Sequence, residues 1–203
     1  MMLDKGPDLY LASASPRRRE LLRQIGMRFE IIDGLSVDES SQQMESPADY
    51  VCRLACAKAH AGYTLLLQDQ EKHHYSGAPV LGADTCVAVD DEILVKPADR
   101  DDCIAMLQRL SGRSHEVLTA ICLYDGKDGL QSLSRSVVTF KKLDISEIKA
   151  YWDSGEPHDK AGGYAIQGYA ATFVCNLRGS YSGVVGLPLY ELAELLQSRD
   201  QSE

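Results

Sequence analysis

Three consecutive arginines, Arg17, Arg18 and Arg19, follow directly on Ser13-Ala14-Ser15-Pro16, where a short apolar segment gives way to a helical pattern. A strand-to-helix turn aims backbone N–H groups and hydroxyls at one point, and the dipole of the helix favours an anion there. From Ser13 to Arg28 five Arg stand against one Glu, so this turn is a candidate anion site, although the same triplet would also serve as a solvated helix face. It is not a Walker motif, since the spaced glycines and the closing Lys-Ser/Thr are absent. In Gly82-Ala83-Asp84-Thr85 a carboxylate ends a buried strand, where it can bind a metal or deprotonate water; an Asp there can equally form a turn or cap a helix. Asp38 and Glu39 are weaker acidic candidates. Lys58 and Lys96 offer the compact cations that phosphate chemistry needs, though a single Lys is most often a solvated charge. In Lys160-Ala161-Gly162-Gly163-Tyr164-Ala165-Ile166-Gln167-Gly168 the glycines let backbone approach a flat ligand, and Gln167 can offer a donor and an acceptor to a base edge. A glycine-rich loop with a structural amide has the same composition. Cys52, Cys56 and His60 share a helix face and could supply three metal ligands, but no fourth follows at a telling spacing, and small thiols usually pack as apolar groups. No nucleophile elbow, His-Glu-x-x-His or Cys-x-x-Cys occurs.

The scaffold these residues need is bounded by composition. The chain has 203 residues, 44% of them hydrophobic and 25% charged, the range of one compact domain, and we expect a single domain over 1–203. Its net charge of −9 argues against binding a nucleic-acid backbone, which needs a broad cationic face, so any anionic ligand must meet a local positive site. No apolar run is long enough to span a bilayer and MMLDKGPDLY lacks the apolar core of a signal peptide, so a cytoplasmic protein without a membrane partner is expected. Six scattered Cys fit reduced thiols better than a disulfide framework.

Along the chain, Leu9 to Ala12 reads as a strand and Ser15 caps a helix with Pro16 at its first position and Gly26 at its end. A strand from Phe29 to Ile32 precedes a helix starting at Ser46-Pro47 that carries Lys58. Residues 68–79 read as an exposed loop, and Val80 to Ala83 as a buried strand with Asp84-Thr85 just after it. Cys86 to Val89 and Ile93-Leu94 suggest a hairpin turning at Asp90-Asp91, and Ile104, Leu107 and Leu110 a helix ended by Ser111-Gly112. Val117 to Tyr124 and Leu133 to Phe140 pattern as an antiparallel pair. A short helix from Ile148 to Trp152, a strand near Thr172 to Leu177 and a final helix from Pro188 complete an α/β domain with a mixed sheet flanked by helices.

LASASPRRRELL, VDES, LACAKA, LGADT, VKP, HDKAGGYAIQG and GSYSGVVGLPL together resemble, in order and over nearly the whole chain, the Maf family of nucleoside triphosphate pyrophosphatases. The resemblance implies hydrolysis of a nucleoside triphosphate to the monophosphate and pyrophosphate. It also implies an elongated fold similar to that of inosine triphosphate pyrophosphatase, with two lobes around a cleft, and a homodimer. The family's catalytic Asp falls on Asp84, its phosphate-binding and active-site residues on Ser13, Arg17, Arg18, Lys58 and Lys96, and its acidic residue near the metal on Glu39. KAGGYAIQG looks like the branch acting on dTTP and UTP, in which residues matching Arg17, Thr85 and Gln167 are associated with substrate choice. The branch acting on 7-methyl-GTP has a different sequence after its Lys-Ala-Gly. Ala14 stands where many members have Gly, and no family role falls on Cys52 or on Cys56, the thiol within LACAKA.

The chemistry expected on this basis pairs the cations and one divalent ion, Mg²⁺ or Mn²⁺ held by Asp84 and Glu39, with the triphosphate, leaving the α-phosphorus open to water. Asp84 activates that water, directly or through the metal, and Gln167 reads the edge shared by uracil and thymine. The alternatives are 7-methyl-GTP hydrolysis and a non-catalytic nucleotide-binding regulator of cell division.

Overall fold

The computed structural model describes residues 6–68 and 75–201. Residues 69–74 of the expected loop over 68–79 lie outside the described residues, and Gln68 itself still belongs to the preceding helix. The elements run β1 (Leu9–Ala12), α1 (Pro16–Gln24), β2 (Phe29–Ile31), α2 (Pro47–Gln68), β3 (Val80–Val89), β4 (Glu92–Leu94), α3 (Arg100–Leu110), β5 (Ser114–Tyr124), β6 (Gly129–Phe140), α4 (Ile145–Asp153), β7 (Val174–Arg178), α5 (Tyr181–Val185) and α6 (Leu189–Asp200). The strands form one mixed sheet in the order β2-β1-β3-β5-β6-β7, with β4 also paired to β3. β2, β1 and β3 are parallel, and the remaining pairings are antiparallel.

The sequence places the breaks well where turn chemistry is explicit. Pro16 opens α1, and Gly26 follows its end at φ 70°, the left-handed conformation a glycine adopts without a Cβ clash. Asp90 and Asp91 turn the β3–β4 hairpin at φ 53° and 61°, as a tight hairpin turn requires. β5 and β6 pair from Ser114↔Thr139 to Tyr124↔Gly129, longer than expected because polar Gln131 and Ser132 give the start of β6 no apolar run. The strand expected near Thr172 starts at Val174 after a 3₁₀ turn at Tyr169–Thr172.

One expectation is corrected. Asp84 and Thr85 do not follow a four-residue strand; they sit in the middle of a ten-residue one. β5 pairs with β3 without interruption from Val80↔Tyr124 to Ala88↔Glu116, and this continuous ladder carries the chain straight through the polar pair. The opposite edge of β3 is broken. β1 reaches only Ala12↔Gly82 and β4 begins only at Leu94↔Val87, so the edge from Ala83 to Cys86 faces no strand.

Alternation along β3 then assigns the two faces of the sheet. Gly82, Asp84, Cys86 and Ala88 face α2, with Leu118, Ala120 and Cys122 of β5 beside them. Leu81, Ala83, Thr85, Val87 and Val89 face the other helices. On that side one core cluster gathers Leu21, Leu22, Val185 and Leu192 from α1, α5 and α6, and a second gathers Cys103, Leu107, Ile148 and Tyr151 from α3 and α4. α2 lies close on its own face because Ala55, Ala59 and Gly62 are small, and Cys52 and Cys56 pack there as partly buried thiols with Cys122. His60 instead packs its ring against Tyr124, tilted by 55° at a centroid distance of 4.1 Å. Among the described residues no helix is long and apolar enough to cross a membrane.

A Cβ on Gly82 would stand 2.1 Å from the Ala55 carbonyl oxygen and 2.6 Å from the Ala59 nitrogen, both backbone atoms of α2. Gly82→Ala is therefore expected to destabilise the protein by about 3 kcal/mol, read from the urea midpoint, because a helix and not a side chain must move. Gly129→Ala, whose Cβ meets nothing closer than 3.6 Å, is expected to stay within about 0.5 kcal/mol of wild type.

Candidate active site

The open edge of β3 looks into a cavity of about 960 Å³ whose lining includes nine of the residues the sequence nominated for chemistry: Ser13, Arg17, Arg18, Glu39, Lys58, Asp84, Thr85, Lys96 and Gln167. Of the weaker candidates, Asp38 lies outside it and instead accepts the Ser40 N–H at 2.9 Å. Among the described residues no three His, Cys, Asp or Glu side chains come together as a metal cluster, so the Cys52, Cys56 and His60 set forms no site.

On the α2 face, Lys58 reaches the sheet and bridges two carboxylates, with its Nζ 2.7 Å from Asp84 Oδ1 and 2.6 Å from Glu39 Oε1. Asp84 is 7% exposed. Burial raises its pKa above the ordinary value, and the charge and hydrogen bond of Lys58, with Arg18 behind, only partly offset that rise. For Glu39, partial burial would raise the carboxyl, but the hydrogen bond and charge of Lys58, followed by Lys96 and Arg18, outweigh it and hold it below the usual range. Glu39 lies in a long loop that α2 fixes in place: the Tyr50 hydroxyl donates to the Glu39 carbonyl at 2.9 Å. Arg53 binds the Ser40 carbonyl at 3.0 Å and both Glu45 carboxylate oxygens at 2.6 and 2.8 Å. Burial, with Asp84 and Glu39 nearby, pushes the Tyr50 phenol up to about 12.

The opposite face holds a buried polar chain. Arg18 donates from Nε to the Gly186 carbonyl at 2.8 Å, from one terminal nitrogen to Ser13 Oγ at 2.9 Å, and from the other to Thr85 Oγ1 at 3.3 Å. Thr85 and Thr119 are directly opposed across β3 and β5, their hydroxyls 3.0 Å apart, and Thr119 Oγ1 lies 2.7 Å from the Gly183 carbonyl. Thr119 donates in both contacts, its one proton shared between the Gly183 carbonyl and Thr85, so the Thr85 oxygen accepts from both Arg18 and Thr119. Burial lowers the Arg18 pKa while Asp84 and Glu39 act to raise it, and a guanidinium remains charged through such shifts.

Three candidates keep their polar groups open. Arg17, Lys96 and Gln167 line the cavity, and among the described residues no hydrogen bond or ion pair ties them. Burial lowers the Arg17 pKa, opposed by Asp159. Lys96 follows Val95, whose carbonyl accepts the Gly162 N–H at 3.1 Å, so the exit of β4 is tied to the glycine-rich loop that carries Gln167. Arg17, Arg18, Lys58, Lys96 and Lys160 thus share the cavity with Asp33, Glu39, Asp84 and Asp159 in a chain of net charge −9.

Sequence reasoning missed Thr119 and the carbonyls of Gly183 and Gly186. Thr119 reads as one more β-branched strand residue, and a carbonyl has no side-chain signature. Ser180 was the available clue to α5: it caps that helix by accepting the Gly183 N–H at 3.0 Å, the pattern of a polar residue just before a helical turn.

The raised pKa of Asp84 has a measurable sign. The folded chain keeps this proton to a higher pH than the unfolded chain, so stability declines as pH rises through the interval above the ordinary carboxylate value, and the penalty is complete above it. Asp84→Asn is therefore expected to melt at a higher temperature than wild type near pH 8, and the advantage should shrink toward pH 4. An unchanged difference across that range would show that Asp84 is not desolvated.

The family model described as Maf-like protein matches residues 8–199. The chain is 53% identical to a dTTP/UTP pyrophosphatase of Alkalilimnicola ehrlichii, over 94% of this chain and 92% of that protein. It is 49% identical to the dTTP/UTP pyrophosphatase of Pseudoalteromonas translucida, covering 94% and 96% of the two chains, and 49% identical to that of Nitrosomonas europaea, covering 97% of each.

Proposed function

The chain belongs to the Maf family, and from that premise we propose that it hydrolyses dTTP and UTP, and with them CTP or modified pyrimidine nucleotides, to the monophosphate and pyrophosphate. The observation that carries this reading is the juxtaposition, in one cavity, of untied cations at Arg17 and Lys96, a desolvated carboxylate at Asp84 and an untied amide at Gln167. The cations meet the triphosphate, the carboxylate stands ready for water, and the amide offers one donor and one acceptor to a base.

In this reading Asp84 takes the proton of the attacking water, and its raised pKa makes it a better acceptor than an exposed carboxylate. Lys58 orients Asp84 and Glu39 and, with Lys96, balances charge on the phosphates. Ser13 and Arg17 bind phosphate oxygens at the N-terminus of α1. Arg18 and Thr85 shape the same wall from behind, since Arg18 already binds Ser13 and Thr85 already binds Thr119. Gln167 pairs with the carbonyl and N–H edge common to uracil and thymine.

The donor set suits a divalent cation. Glu39 and Asp84 present oxygens to one shared point, where Lys58 now places its ammonium, and Mg²⁺ or Mn²⁺ is commonly held by one or two carboxylates together with substrate phosphates. When bound, such an ion would neutralise phosphate charge and lower the pKa of water.

The two core clusters on either side of the open β3 edge are read here as two lobes around a cleft, similar to the fold of inosine triphosphate pyrophosphatase. A single domain over residues 1–203, a homodimer and a cytoplasmic setting, where nucleotides are made and used, complete the proposal.

A panel of dTTP, UTP, CTP, GTP and 7-methyl-GTP with Mg²⁺ or Mn²⁺, assayed separately for pyrophosphate, orthophosphate and monophosphate, tests it. Pyrophosphate release is expected from dTTP and UTP first. Preference for 7-methyl-GTP would overturn the branch, and nucleotide binding without turnover would overturn the enzyme in favour of a regulator. Asp84→Asn is expected to lower kcat by a factor of about 10²–10⁴ while nucleotide still binds.

A further inference from the structure

The structure assigns a positioning role to Glu156, a residue outside the cavity, in holding the segment that presents Gln167. This inference rests on the reading of Gln167 as the base-recognising residue. Gln167 is exposed and its side chain is untied, so its place in the cavity depends on the backbone to either side. Glu156 grips both sides.

Downstream, the Tyr169 N–H donates to Glu156 Oε2 at 2.8 Å and the Ala170 N–H to Oε1 at 3.4 Å. Upstream, the Ala165 N–H donates to the Tyr151 hydroxyl at 3.2 Å, and that hydroxyl donates to Glu156 Oε1 at 2.8 Å. Between the two anchors the backbone closes a turn, Gly168 N–H to Ala165 carbonyl at 3.1 Å. A Cβ on Gly168 would stand 2.3 Å from the Glu156 carboxylate, so the carboxylate lies directly against the chain beside Gln167. Tyr151 is itself buried: it is 1% exposed on α4, with its ring against Tyr169 and Phe173 at 6.2 and 5.1 Å.

Glu156 makes no ion pair among the described residues; its hydrogen bonds come from two backbone N–H groups and the Tyr151 hydroxyl. Hydrogen bonds to an ionised acceptor are stronger than neutral ones, and here they fix a loop in place before any ligand arrives. A Gln167 already in position does not have to be ordered by the nucleotide, and the ordering cost that would otherwise weaken binding is removed. The effect is confined to binding, because Asp84 and Lys58 belong to β3 and α2.

The test compares Glu156→Ala, Glu156→Gln, Tyr151→Phe and Gln167→Ala by steady-state kinetics on dTTP, UTP and GTP, with folding checked by near-ultraviolet circular dichroism. Glu156→Ala is expected to raise KM for dTTP and UTP about tenfold, as the loss of charge-assisted hydrogen bonds would. Its kcat should stay within about twofold of wild type and its preference over GTP should shrink. Glu156→Gln, which keeps one acceptor oxygen but turns the other into a donor, is expected to recover only part of the loss, and Tyr151→Phe to reproduce part of it. In the Glu156→Ala/Gln167→Ala double variant the two losses should fail to add, because both act through one contact.

Selectivity lost in Gln167→Ala but kept in folded Glu156→Ala would overturn the role of Glu156 alone. Selectivity unchanged in Gln167→Ala would overturn the base-reading premise and this inference together. If Glu156→Ala does not fold, Tyr151→Phe decides: a KM effect supports the role and wild-type KM with wild-type selectivity overturns it.

Discussion

β3 is hydrogen-bonded along the whole of one edge and only at the two ends of the other, and the stretch from Ala83 to Cys86 that this leaves open determines where the site can stand. A strand presents successive side chains to opposite faces. At an edge with no neighbour both faces border the same space, so Asp84 and Thr85 can serve one cavity while drawing support from different layers. Asp84 is held by Lys58 from the α2 side. Thr85 is held by Arg18 and Thr119 from the side of α1 and α5.

Seating therefore matters as much as identity. Lys58 can bridge Glu39 and Asp84 only because α2 lies close on the sheet, and it lies close because Gly82, Ala55, Ala59 and Gly62 leave room for the backbones to approach. The opposing burial of Asp84 and partial exposure of Glu39 then give two carboxylates on one ammonium opposite shifts: Asp84 binds its proton more readily than usual and Glu39 less readily. Such a split lets one carboxylate serve as proton acceptor while the other stays ionised.

Much of this was legible from residues alone, and the boundary between what was and was not is physical. The Arg triplet at a strand-to-helix turn, Asp84 and the glycine-rich loop with Gln167 were visible because charge, backbone freedom and helix starts leave local marks. Asp84 was placed one feature too late, at a strand's end, because a polar Asp-Thr pair reads as a break; only the partner strand β5 reveals that the ladder runs through it. Thr119, Glu156 and the carbonyls of Gly183 and Gly186 were invisible, since their roles come from partners far along the chain and their residue types are common. Arg18 reads in the sequence like Arg17, and only the fold shows that it is buried and makes three internal hydrogen bonds while Arg17 makes none among the described residues.

The hydroxyl chain from Arg18 through Thr85 and Thr119 to the Gly183 carbonyl has a further implication. Thr85 Oγ1 accepts from Arg18 and from Thr119, and a hydroxyl oxygen has two lone pairs. Both are taken. What Thr85 can still offer the cavity it lines is its own proton, so this position meets a ligand by donating and not by accepting.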